Sequence, residues 1–338
     1  MRYKTGLYGG AFNPLHMGHV DSLIQAANLC VRLFVVLWAG RNRNEIDMLV
    51  RYRWIYRLTA HIGNVTILTV EDDAPSLSQY THEMALEHAR QIRDQIKDGI
   101  DVIFTDDDTD ERSCFKLTCR EAAIHHFDNT MGISSKVLRA DPYGHWDWLP
   151  AVVRPHYTRK VLLIGGESTG KSTLTLNLTS RFNAISIDEA GRELSFKSGT
   201  PDRMLSEDYV EILLQQKLNE IKALEQGKKV LFVDTDTLIT QFYINFFEDP
   251  QSRLNKALSD AIDSINRFDL IIFLEPDVDF IHDGDRSMVI ASQREKYSNQ
   301  IKDIFESHNR RFVTVSGDYQ SRYEQAVALV NALLEPQA

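Results

Sequence analysis

Short apolar runs rich in β-branched residues recur along this chain, alternating with longer stretches whose apolar residues fall at helical spacing. In the first half the runs are KTGLY (4–8), LFVVLW (33–38), VTILTV (65–70) and DVIFT (101–105), with helical patterns at about 18–30, 47–61 and 79–97. In the second half KVLLIGG (160–166), AISI (184–187), KVLFVD (229–234), LIIFLE (270–275) and FVTV (312–315) read as strands. Long helices fill the gaps there, including 206–226 and 319–334. Strand and helix in alternation predict mainly parallel sheets covered on both faces, so the fold class is α/β. The stretch ADPYGHWDWLPAVVRPHYTR (140–159) breaks the rhythm. Its Pro and aromatic residues predict a connector packed by Trp146 and Trp148 rather than a flexible tether. The division is then a first domain at 1–142, a connector at 143–159 and a second domain at 160–338. DDDTDERS (106–113) reads as a solvated acidic loop.

Bulk properties narrow the class. A length of 338 residues suits two ordinary domains. A net charge of −10 argues against a broad nucleic-acid surface. It leaves nucleotides open, because phosphates are held by local backbone amides and a few basic side chains. Cys30, Cys114 and Cys119 lack CxxC spacing, which predicts reduced thiols rather than disulfides or a zinc site. No apolar run reaches the ~20 residues of a membrane span, and the first residues lack a signal-peptide core, so a cytoplasmic location is expected.

The most specific chemistry lies in GGESTGKS (165–172), which matches G-x-x-x-x-G-K-[ST] between a strand and a helix. Gly165, Gly166 and Gly170 let the backbone wrap a phosphate, with Glu167, Ser168, Thr169 and Thr173 completing the cradle. Lys171 reaches the β/γ-phosphates of ATP, and the Ser172 hydroxyl holds Mg²⁺. A GTPase is a poor fit. DEAG (188–191) follows Lys171 too closely for a switch loop, and NRFD (266–269) precedes its strand instead of following it. A small-molecule kinase accounts for more. Asp188 ends the second strand of this half, where a carboxylate can accept a proton or hold a ribose, or simply cap a helix. Asp234 ends KVLFVD, as a metal-side aspartate should, with Asp236 beside it either facing the substrate or making a turn. Arg286, in the polar stretch HDGDRSMVIASQRE (282–295), suits a lid that meets the transferring phosphoryl group, against the alternative of a solvated loop charge.

In the first half GGAFNPLHMGH (9–19) places His16 and His19 three residues apart after a strand and two glycines. No further ligands at recognisable spacing support a metal site. Either histidine alone could be a core residue. The context of strand, glycines, Pro14 and helix start favours a phosphate site in which imidazole N–H groups hold a triphosphate while its α-phosphate is attacked.

GGAFNPLHMGH resembles the G-x-F-x-P-x-H-x-G-H signature of the nucleotidyltransferase superfamily, and ISSKVLR (133–139) resembles its companion I-S-x-T-x-x-R motif. Joined to a P-loop kinase, the whole chain is similar to the NadR-type family, nicotinamide-mononucleotide adenylyltransferase fused to ribosylnicotinamide kinase. DPYGHWDWLPAVVRPHYTRKVLLIGGESTGKS, RYRWI (51–55) and VDTDTLIT (233–240) carry the same likeness. The resemblance implies a Rossmann-like nucleotidyltransferase domain followed by a P-loop NTPase-fold kinase domain. It implies that the second phosphorylates nicotinamide riboside to NMN with ATP and Mg²⁺, using Asp188 or Glu189 as base or ribose ligand. The first would then join NMN to the adenylyl group of ATP, giving NAD and pyrophosphate. For that site it implies nucleotide contacts from Gly9, Gly10, Phe12, Ser134 and Arg139, with phosphate held by His16 and His19. Asn13 is implied on the substrate side, and Trp54 either stacks on the nicotinamide ring or fills the core. Cooperation with a membrane transporter of nicotinamide riboside is implied too, and a homo-oligomer is expected.

Some positions depart from the family. Enteric members carry an N-terminal helix-turn-helix repressor module, and a strand near residue 4 predicts the form without it. Lys136 stands where the companion motif has a hydroxyl residue, and carboxylates at Asp106–Asp108 oppose phosphate binding. Both predict weaker adenylyl transfer than phosphorylation. Two rivals stay open: a kinase fused to an adenylyltransferase for another substrate, such as a pantetheine phosphate, or a nucleotide sensor with little turnover.

Overall fold

The computed structural model describes residues 3–97, 99–105, 114–127, 132–192, 194, 204–247, 253–279 and 293–336. The chain forms two compact units, the first running through Val153 and the second over Arg154–Glu335. Their boundary falls inside 143–159. Within the first unit Trp146 is buried, its ring stacked on Tyr143 at 6.0 Å between centroids.

The first unit contains β1 (Tyr3–Gly10), α1 (Met17–Leu29), β2 (Cys30–Gly40), α2 (Met48–Thr59), β3 (Val65–Asp72) and α3 (His82–Gln95). β4 (Val102–Thr105), α4 (Cys114–Thr118), β5 (Ala123–His126) and α5 (Ser135–Ala140) complete it. All strand pairs are parallel, in the order β3-β2-β1-β4-β5. β2 is almost continuously apolar because both of its faces are covered. Leu7, Val36, Leu68 and Ile103 from four neighbouring strands meet Ile92 of α3 on one face. β5 is missing from the sequence reading. AIHH is short, half histidine and at the sheet edge, so only its register against β4, Val102↔Ala123 to Thr105↔His126, marks it as a strand.

The second unit runs α6 (Arg154–Tyr157), β6 (Arg159–Gly165), α7 (Lys171–Phe182), β7 (Ile185–Ile187), α8 (Ser206–Leu224) and β8 (Val230–Asp234). It continues with α9 (Thr237–Phe247), α10 (Arg253–Ile265), β9 (Leu270–Leu274), α11 (Arg294–Ser307), β10 (Val313–Val315) and α12 (Tyr319–Leu334). Its parallel sheet has the order β10-β9-β6-β8-β7. Strand periodicity makes the three layers. Val161 and Leu163 of β6 meet Leu174 and Leu178 of α7 and Val330 of α12, whereas Leu162 and Ile164 meet Leu238 and Phe242 of α9 and Phe305 of α11. In both sheets a central strand, β1 or β6, lies where the strand order reverses, and the carboxyl end of such a strand is the usual place for a ligand in open α/β sheets. The three cysteines are free thiols, and no helix among the described residues is long and apolar enough to cross a membrane.

Two candidate nucleotide sites

In the first unit the chain leaves β1 through Gly9 and Gly10 and turns through Phe12, whose φ is +48°. Gly9 is required by close approach, since a side chain there would run into the Phe115 ring. His16 then caps α1. Its Nδ1 accepts the backbone N–H of His19 at 3.4 Å, and His19 Nδ1 accepts the backbone N–H of His16 at 3.3 Å. The two rings stack at 3.7 Å between centroids, and Phe12 meets His19 edge-on at 5.0 Å. With both Nδ1 atoms accepting, each ring carries its proton on Nε2. Burial lowers the His16 pKa to about 4 and holds His19 well below its usual value, with His16 adding to the effect. The motif therefore presents two neutral N–H donors at a helix start, where the macrodipole favours an anion.

Other parts of the unit hold this loop from behind. Arg51 Nη1 donates to Ala11 O at 2.7 Å, Arg139 Nη1 to Asn13 O, and Ser135 Oγ to Pro14 O at 3.0 Å. Asn13 Oδ1 accepts the Ile46 N–H at 3.1 Å. Ser134 caps α5 through Val137 N. Trp54 is 5% exposed, which is core packing and not an accessible stacking face. Lys136 is exposed on α5, while Asp106–Asp108 lie outside the described residues. Sequence reasoning missed a polar network at the ends of β2 and β3. Arg43 lies over the Trp38 ring at 5.0 Å and pairs with Asp72 at 2.9 Å and Glu45 at 2.7 Å, and Glu45 also pairs with Arg51 at 3.1 Å. Nothing in the spacing of these residues announces it.

In the second unit Gly165, at φ +148°, ends β6 where a Cβ would lie 2.7 Å from Leu274 O. Gly170, at φ +84°, caps α7. Lys171 Nζ donates to Gly165 O at 3.1 Å and Gly166 O at 2.9 Å, and Thr169 Oγ1 donates to Gly166 O at 2.9 Å. Residues Glu167 to Thr173 line a cavity of about 220 Å³ together with Glu189, Arg192, Gln216, Asp236 and Tyr243. Asp188 is exposed and does not line it, so the geometry prefers Glu189 of the two adjacent carboxylates. Burial, and then the charge of Asp234, raise the Glu189 pKa. Arg192 lies 3.7 Å from Glu189 and donates to Ser172 Oγ at 3.1 Å. Ser172 Oγ donates to Asp234 Oδ2 at 2.6 Å, while the buried Asp234 Oδ1 has no hydrogen-bond partner among the described residues.

Asp236 lines the cavity and also caps α9, accepting from Leu238 N at 3.1 Å and Ile239 N at 3.4 Å. Burial, followed by the charge of Asp263, pushes its pKa up to about 7. Gln216 bridges two walls, donating to Thr235 O at 3.0 Å and accepting from Ala190 N at 3.2 Å. Gln216 and Tyr243 escape sequence reasoning because each sits within an ordinary helical pattern, and Arg192 because it belongs to no motif. Arg286 lies outside the described residues.

The family described as "AAA domain" matches residues 160–322. The trifunctional NAD biosynthesis/regulator protein NadR of Escherichia coli K12 is 28% identical over 349 residues, covering 98% of this chain and 84% of that protein. A phosphopantetheine adenylyltransferase of Pasteurella multocida is 22% identical over 153 residues, covering 40% of this chain and 95% of that enzyme. A crystal structure of a NadR protein in complex with NR superimposes with a TM-score of 0.82 at 20% identity, covering 99% of this chain and 97% of the other. The NadR-type resemblance carried by the motifs thus extends over nearly the whole chain, in sequence and in fold.

Proposed function

We propose that this chain, NadR-like from end to end, catalyses two consecutive steps of NAD salvage. Its second unit phosphorylates nicotinamide riboside with ATP, and its first transfers the adenylyl group of ATP to NMN, releasing pyrophosphate. One observation above all supports this: a single chain pairs a histidine-capped helix after β1 with a lysine-bearing phosphate loop after β6, each at the carboxyl end of a central strand.

In the kinase unit Lys171 and the loop amides hold the β/γ-phosphates, and Arg192 adds positive charge at the mouth. Glu189 accepts the proton of the riboside 5′-hydroxyl as that oxygen attacks the γ-phosphorus and the bond from the γ-phosphorus to the bridging oxygen breaks to release ADP. Tyr209, Tyr243 and Phe247 offer an aromatic wall to the nicotinamide ring. Mg²⁺ fits beside Ser172 and Asp234, because Asp234 Oδ1 is a buried acceptor without a partner among the described residues. When bound, it neutralises phosphate charge. Arg286 remains the candidate lid arginine.

In the adenylyltransferase unit a phosphate oxygen of NMN attacks the α-phosphorus of ATP and pyrophosphate leaves. His16 and His19 donate from Nε2 to the leaving phosphates, and Arg139 brings its charge beside the loop that it tethers. No covalent intermediate is needed, so catalysis is positioning plus stabilisation of developing charge. Trp54 serves packing. A cytoplasmic setting, riboside supplied by a membrane transporter and self-association go with this reading.

Incubating the purified protein with nicotinamide riboside, ATP and Mg²⁺, then separating products by chromatography, tests it. NMN and NAD are both expected. NMN without NAD removes the second step, and no product favours a nucleotide sensor.

A further inference from the structure

Two arginines from different helices hold consecutive carbonyls of the 165–172 loop. Arg294, the first residue of α11, donates from Nη2 to Ser168 O at 3.2 Å and from Nη1 to Val278 O at 2.7 Å. Arg322, in α12, donates from Nη1 to Thr169 O at 2.5 Å, from Nε to Gly317 O at 2.7 Å and from Nη2 to Glu275 O at 2.7 Å. It also donates to the Asp277 carboxylate. Arg322 is 2% exposed and, with Arg51, is among the largest fully buried side chains. Packing alone does not call for such a residue, because an apolar side chain of similar volume avoids the desolvation cost. What a guanidinium adds is a rigid fork of donors that fixes several acceptors at once.

The consequence lies in peptide geometry. A trans peptide points its C=O and N–H to opposite sides. Fixing the Ser168 and Thr169 carbonyls on the arginine side turns the Thr169 and Gly170 N–H groups to the other side. These amides belong to the stretch that lines the cavity, and Ser168 at φ +58° and Gly170 at φ +84° supply the left-handed turns of an anion nest. Both arginines take their second anchor from residues 275–278, just beyond β9, so the loop's shape is tied to that strand exit.

We infer that Arg294 and Arg322 are positioning residues for phosphate binding, acting through the Thr169 and Gly170 amides without touching substrate. The inference rests on the reading of 165–172 as a nucleotide-phosphate loop. The test uses the full chain with Arg294→Gln, Arg294→Lys, Arg322→Met and Arg322→Lys. ATP binding is measured by calorimetry without riboside in a His16→Ala, His19→Ala background that removes the first unit's phosphate grip. Kinase KM and kcat for both substrates, thermal unfolding of the second unit, and adenylyl transfer to supplied NMN as a control on the first unit are measured in the otherwise wild-type chain. Arg294→Gln is expected to weaken ATP binding and raise KM for ATP on the order of ten-fold, leaving KM for riboside and adenylyl transfer unchanged. Arg322→Met should lower kcat/KM for ATP by about 100-fold, and each Lys variant should recover part of the loss. If Arg322→Met does not fold, the half-exposed Arg294 pair decides. Folded Arg294 variants that bind ATP like the wild type, or lose ATP affinity only in step with their melting temperature, overturn the positioning role. A wild-type chain that binds no ATP overturns the phosphate-loop reading and this inference with it.

Discussion

The loop after β1 and the loop after β6 meet one demand with different chemistry. In both, backbone carbonyls are engaged by side chains of the same unit. Arg51, Arg139 and Ser135 hold Ala11, Asn13 and Pro14 in the first, while Lys171, Arg294 and Arg322 hold Gly165, Gly166, Ser168 and Thr169 in the second. What each leaves for a phosphate differs. The first offers two imidazoles that burial keeps neutral, and the second offers amides and a lysine beside crowded carboxylates. The first grip therefore depends on hydrogen bonds, and the second on charge balance. The two activities should respond differently to mutation and to pH.

The largest effects should come from separating the two grips. Lys171→Ala is expected to lower phosphorylation of nicotinamide riboside by about 10²–10³-fold while NMN supplied directly is still converted to NAD. His16→Ala or His19→Ala should do the reverse, with losses of similar order. Product analysis with each substrate checks both, and a variant that silences both activities would show that the sites do not act independently.

Next in size is the pH response. Glu189 must be ionised to accept a proton, and its raised pKa places the acid limb of the kinase profile above the range of an ordinary carboxylate, about 4.3. Glu189→Gln should lower the rate and remove that limb. Adenylyl transfer has no such requirement. His16 stays neutral until about pH 4, so its hydrogen-bond donor survives acidification that already slows the kinase. Rate profiles of the two reactions between pH 5 and 8 check the contrast.

A smaller effect tests how far the first loop depends on its supports. Arg51→Met removes the donor to Ala11 O and leaves Glu45 with one partner fewer. Adenylyl transfer should fall by about ten-fold, and the kinase rate should not change. Arg51→Lys should recover part of the loss if the carbonyl contact is what counts. Equal losses in both activities would point to general destabilisation.

Much of this was legible in the sequence because it is periodic or because phosphate binding needs particular residue types. Strands such as LFVVLW and LIIFLE announce themselves, and so do the glycines and lysine of GGESTGKS. Residues 167–173 line one cavity as their spacing suggested. What stayed hidden is long-range. The bond from Arg322 to Thr169 O joins residues 153 positions apart, and that from Arg139 to Asn13 O spans 126. No local pattern encodes either contact. β5 was hidden for another reason, since its pairing with β4 and not its own composition makes it a strand. Between Asp188 and Glu189 the sequence offers no preference, and only the path of the chain after β7 puts the second into the cavity.

The smallest expected effect concerns stability, where the two units should again part. The folded pKa of His16 lies near 4, below its unfolded value of 6.5, so the unfolded chain binds more protons in that interval. The first unit therefore loses stability as pH falls from about 6.5 towards 4. Asp236 behaves oppositely. Its folded pKa of about 7 lies above the unfolded 3.8, so the folded state keeps a proton that the unfolded state releases, and stability falls as pH rises through that window. Asn at this position can accept the same N–H bonds from Leu238 and Ile239 without ever ionising next to Asp263. Asp236→Asn should therefore melt on the order of a few degrees higher relative to wild type at pH 8 than at pH 5. Thermal unfolding of both proteins at the two pH values measures it. A pH-independent difference would mean that the Asp236 carboxyl ionises in the folded chain at its ordinary pH, so that the cap, and not the proton, accounts for its burial.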